Sequence, residues 1–156
     1  MQIEMSGIDL ATIYRPLNNV FINVIMEKIR KKYICKNQIK KGMQGMRKLL
    51  SMFKNGTSVA LMIDQRVSEG IKSNFFGTKA YTTTIPAQFV KKFNCKIVPI
   101  YIERVLGINF KINVEKPIEY QKDDSLEKIT QDLNLRLEKM ILKNPSQWIW
   151  SHNRWK

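Results

Sequence analysis

The chain has 156 residues, with 27 Lys and Arg against 13 Asp and Glu, a net charge of +14. Its 44% hydrophobic content suits a globular core, and no segment reaches the ~18 apolar residues of a membrane span. These figures exclude a disordered tail or a membrane bundle and ask for an anionic partner: nucleic acid, an anionic membrane surface or an acidic protein. Lys and Asn are abundant and Ala is scarce, which also fits AT-biased coding that raises Lys without any function. No secretory signal is visible at the start. Cys35 and Cys95 lie far apart without metal-ligand spacing and read as reduced thiols, so neither a metal nor a cofactor is expected.

In chain order, residues 10–14 form a short apolar strand candidate, and Pro16 suits a first helical position. Leu17, Val20, Phe21, Val24, Ile25 and Ile29 then repeat at helical spacing. Met43, Met46, Leu49, Leu50 and Phe53 mark a second helix, stopped by Asn55-Gly56, whose Met-rich stripe reads as core filling. The apolar run 59–63 reads as a parallel strand buried on both faces and ending at Asp64. A loop of roughly 20 residues follows, and loops that long in a compact domain are usually functional.

Thr84 or Ile85 with Pro86 starts a short helix to about Phe93, and residues 97–102 read as another buried strand. Ile108, Phe110, Ile112 and Val114 alternate as a half-buried strand does. Asp124 with Glu127 resembles a capping pair before a helix carrying Leu126, Ile129, Leu133, Leu137, Met140 and Ile141, which stops at Asn144-Pro145. The expectation is one α/β domain, 1–156, with a mixed, largely parallel sheet flanked by helices.

Ligands in open α/β sheets bind beyond the carboxyl ends of the strands, which singles out Asp64, although a strand-end cap is an equal reading. The one histidine, His152, lies among tryptophans and reads as a packing residue. No Ser-His-Asp, Cys-His or metal set can be assembled. Trp148, Trp150 and Trp155 could stack bases, cover the core or sit at a lipid interface. No helix-turn-helix, OB, RRM or zinc pattern supports a nucleic-acid module.

Tyr14-Arg15-Pro16 with Asn18-Asn19, Arg30, the loop Asp64…Gly70…Phe75-Phe76-Gly77…Ala80, Thr82-Thr83-Thr84, Val98-Pro99 and the tail Gln147-Trp148-x-Trp150-x-His152-x-Arg154-Trp155 together resemble the lipid A biosynthesis lauroyl/myristoyl acyltransferases. These share the glycerophosphate-acyltransferase-like fold, and the resemblance covers essentially the whole chain. It implies transfer of a fatty acyl chain from acyl carrier protein to a hydroxyl of a lipid A precursor. The setting implied is the cytoplasmic face of a Gram-negative inner membrane, with acyl carrier protein, a phosphorylated glycolipid and the anionic membrane surface as partners and no nucleic acid.

The family's proton-abstracting element, a His followed by an acid at fixed spacing, normally precedes the Tyr-Arg-Pro segment. The 13 residues before Tyr14 hold no histidine, so the chain is expected to be an N-terminally truncated portion without anchor or catalytic dyad. The resemblance assigns Arg30 and Asp64 to the supporting catalytic site and leads us to expect them to lie together. A guanidinium can hold a phosphate or a developing oxyanion, and a carboxylate can orient it. Periodicity alone puts Arg30 opposite the apolar stripe, at the surface. Arg15, Phe75, Phe76, Thr83 and Arg154 are the expected substrate contacts, with the two phenylalanines as a wall along acyl chains or, alternatively, as a loop folded onto the core.

Overall fold

The computed structural model describes residues 6–156, and the chain divides into two compact units, Met1–Met62 and Ile63–Lys156. In the first, strand β1 (Leu10–Tyr14) leads to helix α1 (Val20–Tyr33), strand β2 (Asn37–Lys40), helix α2 (Met43–Lys54) and strand β3 (Ser58–Ala60). The strands form one parallel sheet in the order β2-β1-β3, with Ile13 opposite Ile39 and Ala11 opposite Val59. Leu10, Ala11, Cys35, Ile39 and Leu49 are the buried apolar residues here. Pro16 does not open α1: Asn19 caps the helix, its side chain accepting the Ile22 amide at 3.1 Å.

The second unit opens with a hairpin, strands β4 (Ile71–Phe75) and β5 (Thr78–Thr82), antiparallel with Ser73 opposite Ala80. Helix α3 (Ile85–Phe93) follows, then a second antiparallel hairpin of β6 (Ile100–Leu106) and β7 (Asn109–Val114), and helix α4 (Leu126–Lys143). Two clusters form its core. Ala87, Val90, Ile129 and Leu133 join α3 to α4, while Phe75, Ala80 and Ile141 join the first hairpin to α4.

One face of α4 also carries a polar ladder. Gln131 Oε1 accepts the Asn74 amide (2.9 Å), Asn134 Nδ2 donates to the Asn74 carbonyl (3.0 Å), and Glu138 Oε1 accepts the Phe76 amide (2.8 Å). Positions three and four apart share a helix face, so these side chains cap backbone groups that the edge of β4 would otherwise expose.

Several expectations are corrected. The sheet is not largely parallel: only β2-β1-β3 is, and the two hairpins are antiparallel. The third strand stops at Ala60, leaving Asp64 in a bend four residues on rather than at a strand end. The long loop is mostly the β4–β5 hairpin. Residues 97–102 are not a buried strand: β6 begins only after Pro99, which has no N–H to donate, and pairs with β7 alone. Ser125, not Asp124, caps α4, accepting the Lys128 amide at 3.1 Å.

Phe76 and Gly77 both take positive φ (50° and 75°), as a two-residue hairpin turn of the type that matches strand twist requires. A Cβ on Gly77 would meet nothing within 4 Å, whereas one on Gly70 would lie 2.2 Å from the Thr82 carbonyl oxygen. Gly77→Ala should therefore lose about 1 kcal/mol, the cost of a left-handed non-glycine residue. Gly70→Ala should lose more, because backbone must move. Urea denaturation midpoints check the order.

Candidate functional site

In the first unit the order β2-β1-β3 places the topological reversal beside β1, and the carboxyl edge there is where an α/β sheet holds a ligand. Tyr14 ends β1 and Lys40 ends β2. Glu27 stands between them on α1. Its Oε1 accepts the Tyr14 hydroxyl at 2.7 Å and Asn23 Nδ2 at 2.8 Å, and lies 3.4 Å from Lys40 Nζ. Arg30, one turn further on, sets its guanidinium over the Tyr14 ring at 4.9 Å. Its Nη1 is buried and has no partner.

Arg30 is thus half-buried on the face of α1 that meets the sheet, not on a solvated back. Arg15, just past β1, is exposed. Burial first, and then the hydrogen bond to Glu27, push the Tyr14 phenol up to about 12; the bonds from Tyr14 and Asn23 hold Glu27 below its ordinary value.

In the second unit the tail is tied to the segment around Asp64. Arg154, fully buried, donates from Nη1 to the Gln65 carbonyl and from Nη2 to Thr82 Oγ1 (3.1 Å) and Asn134 Oδ1 (3.3 Å). Its guanidinium lies 4.8 Å from the Phe75 ring centroid. Burial lowers its pKa while the charge of Asp64 opposes that shift. His152 Nε2 accepts the Arg66 backbone amide at 3.3 Å. Asp64 Oδ1 is buried without a hydrogen-bond partner.

Two of the expected substrate contacts are fully buried. Phe75 has no exposure and packs with Ala80 and Ile141, so it is core rather than the wall of an acyl channel. Arg154 has no solvent access; its two terminal nitrogens go to protein acceptors, and its buried Nε has no hydrogen-bond partner. Phe76 is half-buried, with its ring 6.0 Å from Trp150. Thr83 is half-buried, and its Oγ1 accepts the Ile85 amide at 3.3 Å. Trp148 and Trp155 pack on Phe75 at 5.8 and 5.6 Å, which leaves them poorly placed to stack bases.

Arg30 and Asp64 belong to different units. An open depression against the first hairpin and α4, lined by Lys72, Ser73, Lys79, Lys128 and Gln131 among others, includes none of the expected site residues. Among the described residues no group of His, Cys, Asp or Glu is arranged to hold a metal, and no helix is long and apolar enough to cross a membrane.

The sequence reading had not picked out Glu27 or Lys40. One signal was present: Glu27 is the only acid between Asp9 and Asp64, and it lies three residues before Arg30 on one helix.

A family profile described as bacterial lipid A biosynthesis acyltransferase matches residues 1–156, the whole chain. The chain belongs to that family. A search of curated proteins gives no match. Membership makes acyl transfer in lipid A biosynthesis the family chemistry.

Two expected outcomes follow from this geometry. A phenol raised to about 12 holds its proton longer folded than unfolded. The stability it contributes is complete below about pH 10 and lost as pH rises through the folded value. Glu27→Gln removes the carboxylate but not the burial, so Tyr14 should titrate lower yet still above its ordinary range. Tyrosinate absorbance, with Tyr14→Phe to assign the signal, reads this. Arg154→Met should cost about 3 kcal/mol, because Thr82, Asn134 and the Gln65 carbonyl lose a buried charged partner. A variant of unchanged stability that lost only lipid binding would return Arg154 to the substrate.

Proposed function

We propose that this acyltransferase carries out late acylation of lipid A, moving a fatty acyl chain from acyl carrier protein to a hydroxyl of a phosphorylated lipid A precursor. We place it at the cytoplasmic face of the inner membrane. The observation that carries the reading is Arg30: a guanidinium braced on the Tyr14 ring at the carboxyl edge of a parallel sheet, with one buried nitrogen unpartnered. Such a group suits a lipid phosphate or the oxyanion that forms when a hydroxyl attacks a thioester. Lys40, and Arg15 exposed nearby in sequence, add positive charge for the phosphorylated glycolipid. Asp64, with its unpartnered carboxylate oxygen, is the proposed acid of the second unit. Phe76 and Thr83 remain the proposed lipid contacts of the second unit. The net charge of +14 supports both an acidic carrier protein and an anionic surface as partners.

In the proposed reaction the lipid hydroxyl loses its proton to a base as its oxygen attacks the thioester carbonyl. The carrier's thiolate leaves and takes up a proton. The single histidine of residues 1–156, His152, lies in the tail and contacts the Arg66 backbone. Lack of a general base typically costs about 10²–10⁴-fold, so residues 1–156 by themselves should show no detectable lauroyl or myristoyl transfer. Binding is the positive test. Detergent-dispersed phosphorylated lipid A precursor and acyl carrier protein should bind in preference to duplex DNA of equal charge. Arg30→Ala and Asp64→Ala should each weaken precursor binding at least about tenfold. Preference for DNA, or normal precursor binding by Arg30→Ala, would overturn the reading.

A further inference from the structure

Helix α1 is built inside out. A surface helix normally turns its apolar stripe to the core. Here Asn23, Glu27 and Arg30 face the sheet through Tyr14 and Lys40, and no residue of α1 is buried. The apolar residues lie outside: Phe21 is 86% exposed and Val20 72%, with Ile22, Val24 and Ile25 also exposed. At about 100° per residue, Lys28, Lys31 and Lys32 fall on the same side as Val20, Phe21, Val24 and Ile25, one to three turns further along. All three lysines are exposed.

We propose that this face of α1 is a membrane-docking surface, seated in the headgroup layer of an anionic leaflet. The proposal rests on the acyltransferase reading for the membrane itself, and it moves the lipid contact from Phe75, which is core, to α1. An interfacial helix sinks its apolar side chains ~5–10 Å and keeps its cationic ones among the phosphates. The apolar first turns and lysine-bearing later turns of α1 match that arrangement when the helix lies tilted. The sign of the charge also fits, since residues 1–62 carry eleven Lys and Arg against three acids.

A second copy fits less well, because a two-fold pairing of this face would bring the lysine cluster against itself. Nucleic acid would leave Phe21 and Ile25 uncovered. Docking by this face would leave the opposite, polar side of α1, with Arg30, turned to the sheet edge where the phosphorylated headgroup is proposed to bind.

The test uses vesicles of phosphatidylethanolamine and phosphatidylglycerol without any lipid A precursor. The chain should sediment with them, and amide exchange of residues 20–25 should slow on binding. Phe21→Ser/Ile25→Ser should reduce partitioning at least about tenfold in low and high salt alike. Lys28→Gln/Lys31→Gln/Lys32→Gln should reduce it at low salt and leave the salt-resistant part. Circular dichroism confirms that both variants are folded, and both should bind detergent-dispersed precursor as the unsubstituted chain does. Absence of vesicle binding, normal binding by both variants, or a dimer dissolved by Phe21→Ser/Ile25→Ser would overturn the docking proposal. Loss of precursor binding by Arg30→Ala speaks only to the site, so the two readings fail separately.

Discussion

A buried guanidinium organises the second unit, because burying Arg154 is affordable only if every neighbour answers it. An unpaired charge in a low-dielectric interior costs several kcal/mol. Here the Gln65 carbonyl, Thr82 and Asn134 accept from its two terminal nitrogens, the Phe75 ring offers its face, and Asp64 supplies opposing charge. Those partners come from a bend, a strand and a helix. Meeting its two terminal nitrogens therefore fixes the registration of all three, with Nε alone left without a hydrogen-bond partner. The tail, which would otherwise fray, is held further by Trp155 Nε1 on the Phe75 carbonyl and by Gln147 bridging the backbone of Arg104.

That same arrangement governs the Asp64 segment. The residues after Asp64 bond to the tail, Gln65 through its carbonyl and Arg66 through its amide to His152. A bend of this kind has no ladder to define it, so other contacts must hold it in place. Residues almost ninety positions away supply the constraint. In the first unit a carboxylate does the equivalent work in the open: Glu27 gathers Tyr14, Asn23 and Lys40, and so sets the aromatic face on which Arg30 rests.

Elements with strong local signals were legible. The strand at 10–14, the helix from Met43 and the helix carrying Ile129 and Leu133 were all expected close to where they stand. Hydrophobic period and caps determine them locally. The parallel-sheet expectation for 97–102 failed because an apolar run does not say what covers it, and the β6–β7 ribbon leaves Ile102, Ile108 and Phe110 exposed. Strand β2 was missed because Asn37-Gln38-Ile39-Lys40 has one apolar residue and is fixed by pairing with β1. The β4–β5 hairpin was missed because its turn is Phe76-Gly77 rather than a common Asn-Gly type pair. Family membership was legible in the motifs. The roles of Phe75 and Arg154 were not, because only the fold shows whether an aromatic or a cation faces a cleft or a core.

The motifs that make the chain recognisable therefore divide by physical role. Phe75-Phe76-Gly77 and the Trp-rich tail interlock: a phenylalanine in a left-handed conformation is costly, and the contacts with Phe75, Trp150 and Glu138 offset that cost. Few residue combinations satisfy so many geometric demands at once, which is why such stretches stand out in a sequence whether or not they touch a substrate. The polar face of α1 makes the opposite case. Asn23, Glu27 and Arg30 look unremarkable in sequence, and an apolar-stripe argument turns them to solvent. Their inward placement leaves the apolar residues of α1 outside, and the proposed docking of that face would link the chemistry proposed for Arg30 to the surface on which the helix rests.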